Sequence, residues 1–257
     1  MLICYSKLIF VPMENNKPTL YTCLSPALLN LYDLKNAIVV IIDVFRATST
    51  IASVLKNGAK CIIPVDTVAK AIEISKRIDA VAAGERDGQI AEGLQHGNSP
   101  LEYSREFIEG KTLVLTTTNG TKLLQMALDN NADTIISGSF PNLSSVCKFL
   151  VEQNKNVVLG CAGWKDRYNI EDTLFAGAVI SKIKEHFTIH CDSSLTAGLL
   201  YETNKHDIIG FAPKLTHYHR LVDRFGLIED INFCLTPDVA DVLVVYEDGK
   251  LINKRLC

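Results

Sequence analysis

The chain has 257 residues, 47% hydrophobic and 21% charged, enough for one sizeable core or two small ones. A formal net charge of -3 and a pI near 6.1 argue against a general nucleic-acid binder, which needs a basic face, but allow a few arginines to form a local pocket for small anions. The eight cysteines include no C-x-x-C pair and give no zinc framework, no apolar run reaches membrane-spanning length, and Met1-Leu2-Ile3-Cys4 does not begin a signal segment, so the expectation is a soluble cytoplasmic protein with neither nucleic acid nor membrane as a partner.

The run Ala37-Ile38-Val39-Val40-Ile41-Ile42 is rich in β-branched residues and is followed by Asp43 and Arg46, the pattern of a buried strand ending in charge. Thr48-Ser49-Thr50 is suited to cap a helix that continues through Ile51 to Leu55. Lys60 to Val65 is a strand, and Asp66 is placed to cap a helix from Thr67 to Ile78. Ala80 to Ala83 leads through Gly84-Glu85-Arg86 into a loop from Asp87 to Asn98. Ser99-Pro100-Leu101-Glu102 has the marks of a helix start, with a hydroxyl cap, Pro at the first helical position and Glu completing a capping box.

Leu113 to Thr117 is the next strand, Thr118-Asn119-Gly120-Thr121 a turn, and Lys122 to Asp129 a helix. Ala132 to Ser137 and Asn156 to Cys161 are strands on either side of a helix from Pro141 to Glu152, and a long helix begins at Glu171-Asp172 and runs toward Lys184. Alternation of strands with roughly ten-residue helices predicts βαβ units and a mainly parallel sheet. The segments 42–59 and 115–132 echo one another as strand, Thr-bearing turn and helix. In the tail, Asp192 to Glu202 and His217 to Phe225 read as helices and Leu227 to Cys234 as extended. Glu247-Asp248-Gly249 between two apolar runs is a hairpin signature that adds an antiparallel edge or a subdomain. No linker divides the chain, so a single α/β unit is expected, with two similar subdomains as an option.

Polar residues concentrate at strand ends: Asp43 with Arg46, Glu85 with Arg86, Thr118-Asn119-Gly120, and the segment from Gly163 to Asp172. In a parallel sheet these ends share one edge, where ligands of open α/β folds bind. Carboxylates beside arginines suit a phosphate ester with a divalent metal, while threonine hydroxyls and helix-start amides complete an anion nest. The bland alternative is a set of caps and loop ion pairs. Cys161 and Arg167 also have the C-x5-R spacing of cysteine phosphatases, although Trp164, Lys165 and Asp166 between them make a poor phosphate cradle. His96 lies near these segments, whereas His217 and His219 read as surface residues.

The same segments carry a family resemblance. Ile42-Asp43-Val44-Phe45-Arg46-Ala47-Thr48-Ser49-Thr50, Gly84-Glu85-Arg86, Gly97-Asn98-Ser99-Pro100, Thr117-Thr118-Asn119-Gly120-Thr121, Cys161-Ala162-Gly163, Glu171-Asp172 with Ala176-Gly177, Asp230-Ile231 with Cys234, and Asp248-Gly249 together resemble the 2-phosphosulfolactate phosphatase family, the ComB proteins. A serine-containing segment of that family is replaced here by Asp238-Val239-Ala240-Asp241. The resemblance implies a three-layer α/β/α fold with related halves and magnesium-dependent hydrolysis of (R)-2-phospho-3-sulfolactate to 3-sulfolactate and phosphate. In methanogens that step belongs to coenzyme M biosynthesis.

On this resemblance Asp43, with one or both of Glu85 and Asp172, is expected to hold Mg2+. Arg46, Arg86 and Arg167 are expected to grip the anionic groups, with Asn98, Thr118, Asn119 and the Gly120 amide completing the substrate site. Asp43, Arg46, Glu85, Asn119, Arg167 and Asp172 form the expected catalytic set. Direct attack by water and an Asp43 phosphoenzyme both remain open, since Phe45 stands where a second aspartate is expected in aspartyl phosphatases. A non-catalytic anion-binding protein and a Cys161 phosphatase are the alternatives. The expected partner is a small anionic phosphate ester, and a homo-oligomer is compatible with the sequence.

Overall fold

The computed structural model describes residues 17–189 and 191–254; the N-terminal segment containing Cys4, read above as lacking a signal, lies outside the described residues. The strands are β1 (Leu20–Cys23), β2 (Ala37–Ile42), β3 (Cys61–Val65), β4 (Val81–Arg86), β5 (Gln89–Ile90), β6 (Thr112–Thr116), β7 (Thr134–Gly138), β8 (Asn156–Cys161), β9 (Val244–Glu247) and β10 (Lys250–Asn253). The helices are α1 (Ala47–Lys56), α2 (Val68–Ile78), α3 (Arg105–Ile108), α4 (Gly120–Asp129), α5 (Leu143–Gln153), α6 (Ile170–Ile183), α7 (Asp192–Asn204), α8 (Ile208–Phe211), α9 (Thr216–Phe225) and α10 (Ile228–Leu235). The result is a three-layer α/β/α fold around a ten-stranded mixed sheet ordered β1-β8-β2-β7-β9-β10-β3-β6-β4-β5.

β2 shows why its sequence is an unbroken apolar run. Ile38, Val40 and Ile42 pack with Leu150 of α5 and Leu174 of α6 on one face, while Val39 and Ile41 meet Leu123, Leu124 and Ala127 of α4 on the other. A strand covered on both faces has no polar side to alternate with.

Two parallel blocks, β1-β8-β2-β7 and β3-β6-β4, are joined by the antiparallel β9–β10 hairpin. The hairpin is therefore the seam of the sheet and not an antiparallel edge. Val244, Val245 and Leu251 are buried, so the pair is apolar enough to lie inside the sheet. Its turn has Asp248 at φ 48° and Gly249 at φ 80°, the left-handed pair a two-residue type I′ turn requires.

The two echoing strand-turn-helix units occupy different blocks and exchange their helices. α1 follows β2 but packs Ile51, Val54 and Leu55 against Ile62, Leu113 and Leu115 of β3 and β6. α4 follows β6 but packs against β2. This crossing brings the two helix N-termini together, so that a Cβ placed on Gly120 would lie 3.1 Å from Asp43 Oδ2 and 3.5 Å from Ala47 Cβ.

Four local expectations are corrected. Thr67, not Asp66, caps α2 by accepting the Lys70 amide, while Asp66 pairs with the Lys70 ammonium. The hydroxyls after β2 do not cap α1; Ser49 bonds Val44 O, Thr50 bonds Asn98 O, and Thr48 accepts the Asp43 amide, so they lock the turn and dock the 98–100 loop. Ser99-Pro100-Leu101-Glu102 starts no helix, because Glu102 folds back onto His96 and the Gly97 amide and the Ser99 hydroxyl reaches Asp230. Residues 228–235 are helical and not extended: Ile231, Cys234 and Leu235 share the buried face of α10, a spacing of three and four that a helix satisfies.

Candidate active site

The C-terminal end of β2 and the turns after β4 and β6 open into a cleft of about 360 Å³, closed on one side by α9. Asp43 and Glu85 line it, together with Thr118 and Asn119 from the start of α4. Asp43 is 8% exposed, and burial, followed by the charges of Glu85 and Glu171, pushes its carboxyl up to about 8. The amides of Gly120 and Ala47 oppose that shift, because helix N-termini favour a negative group. Glu85 is held in place by the neighbouring backbone: its Oε1 accepts from the Thr118 amide and hydroxyl, each at 2.9 Å, and its Oε2 accepts from the Gly88 amide at 3.0 Å.

Asp172 sits in the first turn of α6, and its oxygens accept the amides of Val44 at 2.9 Å and Gly163 at 3.0 Å. Burial and the nearby charges of Glu171 and Asp43 raise its carboxyl well above the ordinary range. It is not on the cleft surface; it ties the turn after β2 to the loop after β8. Asn98 lines the cleft with its Oδ1 buried and without a hydrogen-bond partner.

The arginines are arranged differently from the expectation. Arg46 lines the cleft but is already engaged, pairing through Nη1 with Asp230 at 2.5 Å and donating from Nη2 to Gly88 O at 3.0 Å. Arg86 turns away to Glu85 O, Thr116 Oγ1 and Asp66 O. Arg167 is exposed; its backbone pairs with Trp164, and its side chain is not part of the cleft wall. Arg46, Arg86 and Arg167 thus do not converge on one anion site.

α9 supplies residues that sequence reasoning missed. His217 is not a surface residue: its side chain is 12% exposed, lines the cleft, and its Nδ1 lies 2.7 Å from Glu171 Oε1. Arg220 and Arg224 line the same wall, while Lys165 enters from the loop after β8. The missed signal was a stripe at positions 217, 220, 221 and 224, which a helix places on one face. His219 is exposed beside Asp223, as expected, and His96 is engaged with Glu102 outside the cleft.

Cys161 ends β8 fully buried in the core, and burial, reinforced by Asp172, pushes its thiol well above its ordinary value. Neither feature suits a nucleophilic thiolate. Among the described residues, no three His, Cys, Asp or Glu side chains form a ready metal cage. Mg2+ keeps several waters and often takes only one or two carboxylates, so the cleft-facing pair Asp43 and Glu85, mutually repelling and without an arginine partner, fits that ion.

No described helix is long and apolar enough to cross a membrane. The family model described as 2-phosphosulpholactate phosphatase matches residues 23–249. A "Probable 2-phosphosulfolactate phosphatase" of Caldanaerobacter subterraneus subsp. tengcongensis is 40% identical over 225 residues, covering 84% of this chain and 90% of that protein. Relatives bearing the same name in Thermotoga maritima and Clostridium acetobutylicum are 39% and 36% identical, covering 84% and 85% of this chain and 92% and 93% of their own lengths. With a match across nearly all of the strands and helices that build the cleft, the chain belongs to the 2-phosphosulpholactate phosphatase family.

Proposed function

We propose that this protein is a magnesium-dependent phosphatase that hydrolyses (R)-2-phospho-3-sulfolactate to 3-sulfolactate and phosphate. The observation that carries the reading is the meeting of two carboxylates, Asp43 and Glu85, with the N-termini of α1 and α4 at one end of the cleft, in a chain of this family. Asp43 and Glu85 would hold the ion, which when bound supplies charge neutralisation for the phosphoryl oxygens and a site for water.

The chain's own groups do the positioning. Asn119 at the start of α4 has a side-chain NH2 free to donate to an equatorial phosphoryl oxygen, and the helix N-terminus favours its negative charge, while the Thr118 donors are spent on Glu85. Glu85 is fixed by three donors from Thr118 and Gly88, so it keeps its orientation without help from the substrate. Asp172 fixes the turn that carries Asp43, acting on the reaction through position. Water attack directly on phosphorus is preferred to an Asp43 phosphoenzyme, because Phe45 leaves no second aspartate to protonate the leaving group.

The test is phosphate release from 2-phospho-3-sulfolactate and from a panel of small phosphate monoesters, with Mg2+ and with EDTA. The reading expects turnover that needs Mg2+ and favours phosphosulfolactate. Tight binding of 3-sulfolactate without turnover of any ester would instead identify a non-catalytic anion-binding protein. EDTA-insensitive turnover would remove the metal from the proposal.

A further inference from the structure

We propose that Arg220, stacked on Trp164, reads the sulfonate of the substrate and thereby sets specificity for a phosphate ester with a second strong anion. The inference rests on the phosphatase reading above and deepens it by naming the residue that recognises the non-phosphate end.

The Arg220 guanidinium carbon lies 4.0 Å from the Trp164 ring centroid, and Lys165 Nζ lies 4.6 Å from the same centroid. Two cations at one indole ring concentrate positive charge in this part of the lining, which favours an anion there. Among the described residues the nearby carboxylates meet this charge only in part. Glu171 is the nearest acidic influence on Arg220, but its Oε1 is taken by His217. Asp87 is exposed and only loosely paired with Lys165, at 3.9 Å.

Arg220 Nη2 is also buried without any hydrogen-bond partner, one of three such side-chain atoms among the described residues, with Asn98 Oδ1 and Ser137 Oγ. A buried donor on a charged group is costly to leave unpaired, so the Arg220 guanidinium, on a residue that lines the cleft, carries hydrogen-bonding capacity that the described protein groups do not use.

Charge divides the lining of the cleft. Asp43 and Glu85 repel any oxyanion not accompanied by a cation, so a metal-accompanied phosphoryl group suits them. Arg220 and Arg224 from α9, with Lys165 from the loop after β8, attract an oxyanion directly. Among the remaining groups of the substrate, the sulfonate is ionised at every working pH, presents three oxygens and gives up water more readily than a carboxylate. That matches a weakly hydrated, ring-stacked guanidinium with a planar fork of donors.

Wild type and Arg220→Gln are compared on two esters, 2-phospho-3-sulfolactate and 2-phospholactate, which lacks only the sulfonate. The expected result is a loss of about 100-fold or more in kcat/KM on the first and less than about 3-fold on the second. An equal loss on both esters, or no loss on either, overturns the proposal. If R220Q does not fold by circular dichroism, Arg220→Lys is read on the same pair, with a loss of about 10-fold confined to the sulfonate ester expected from removing the fork.

A second readout does not need turnover. Trp164 is the only tryptophan in the chain, so its emission reports this wall alone. 3-Sulfolactate should shift the emission of wild type while lactate does not, and R220Q should give no shift. Wild-type emission indifferent to 3-sulfolactate, in protein that still hydrolyses phosphosulfolactate, overturns the Arg220 proposal and leaves the phosphatase reading standing. A wild type that hydrolyses neither ester but shows the shift has the opposite meaning: the sulfonate site is present and the phosphatase reading has failed.

Discussion

Replacing Asp43 by Asn should make the metal-free protein more stable while abolishing its turnover. Asp43 is nearly fully buried, and burial together with Glu85 and Glu171 lifts its carboxyl from 3.8 to about 8. The folded protein therefore binds a proton at this site that the unfolded chain has lost, across the window from about pH 4 to about pH 8. Stability from that bound proton is present below the window and is lost as pH rises through it. At pH 7 the gap from the ordinary value is about 3 units, worth up to roughly 4 kcal/mol at about 1.4 kcal/mol per unit.

Asn removes this linkage but turns its NH2 toward one of the two amides that face Asp43, at Gly120 and Ala47, a mismatch costing about 1–2 kcal/mol. The net expectation at pH 7 is a gain of roughly 2 kcal/mol for D43N, shrinking toward zero or below near pH 4. Urea unfolding in EDTA at both pH values measures it. Adding Mg2+ should stabilise wild type in proportion to the logarithm of its concentration and leave D43N unmoved. A D43N protein less stable than wild type at both pH values by the same amount would refute the argument, as would phosphate release near the wild-type rate.

The remaining expectations concern the frame of the cleft. Asp230→Ala leaves the buried Arg46 charge without its partner and strands the Ser99 hydroxyl, so it should cost roughly 3–5 kcal/mol in urea unfolding, whereas Arg46→Met with Asp230→Leu together should recover much of that loss. Gly163→Ala would place a Cβ 2.1 Å from Arg167 O at a backbone φ of 58°; it should cost at least ~1 kcal/mol and change Trp164 emission, and a variant matching wild type in both would show that the loop tolerates the side chain. Cys161→Ser should keep metal-dependent turnover with a stability loss of about 1–2 kcal/mol from burying a hydroxyl, and a trapped cysteinyl phosphate in wild type would contradict it.

Local patterns determined much of this protein. The β-branched run 37–42 could only be a strand covered on both faces, Asp248-Gly249 could only turn tightly, and Asp43, Glu85 and Thr118-Asn119 stood at strand ends, where a parallel sheet gathers them. Those features depend on near neighbours in the chain, and near neighbours are what a sequence displays.

The partners of charged groups were decided by tertiary structure. Nothing near Arg46 announces that Asp230, 184 positions away, will neutralise it, nor that Arg86 will be absorbed by carbonyls of its own neighbourhood. The hairpin became the seam of the sheet because β7 and β3 each offered an unpaired edge, a fact about two blocks and not about the hairpin. The cationic wall came from α9, whose stripe of His217, Arg220 and Arg224 is visible in sequence only as a polar helix face. Whether such a face meets water or a cleft depends on what the helix packs against; here Leu221 and Phe225 seat it over the positive-φ turn at Gly88, and that contact turns the stripe inward.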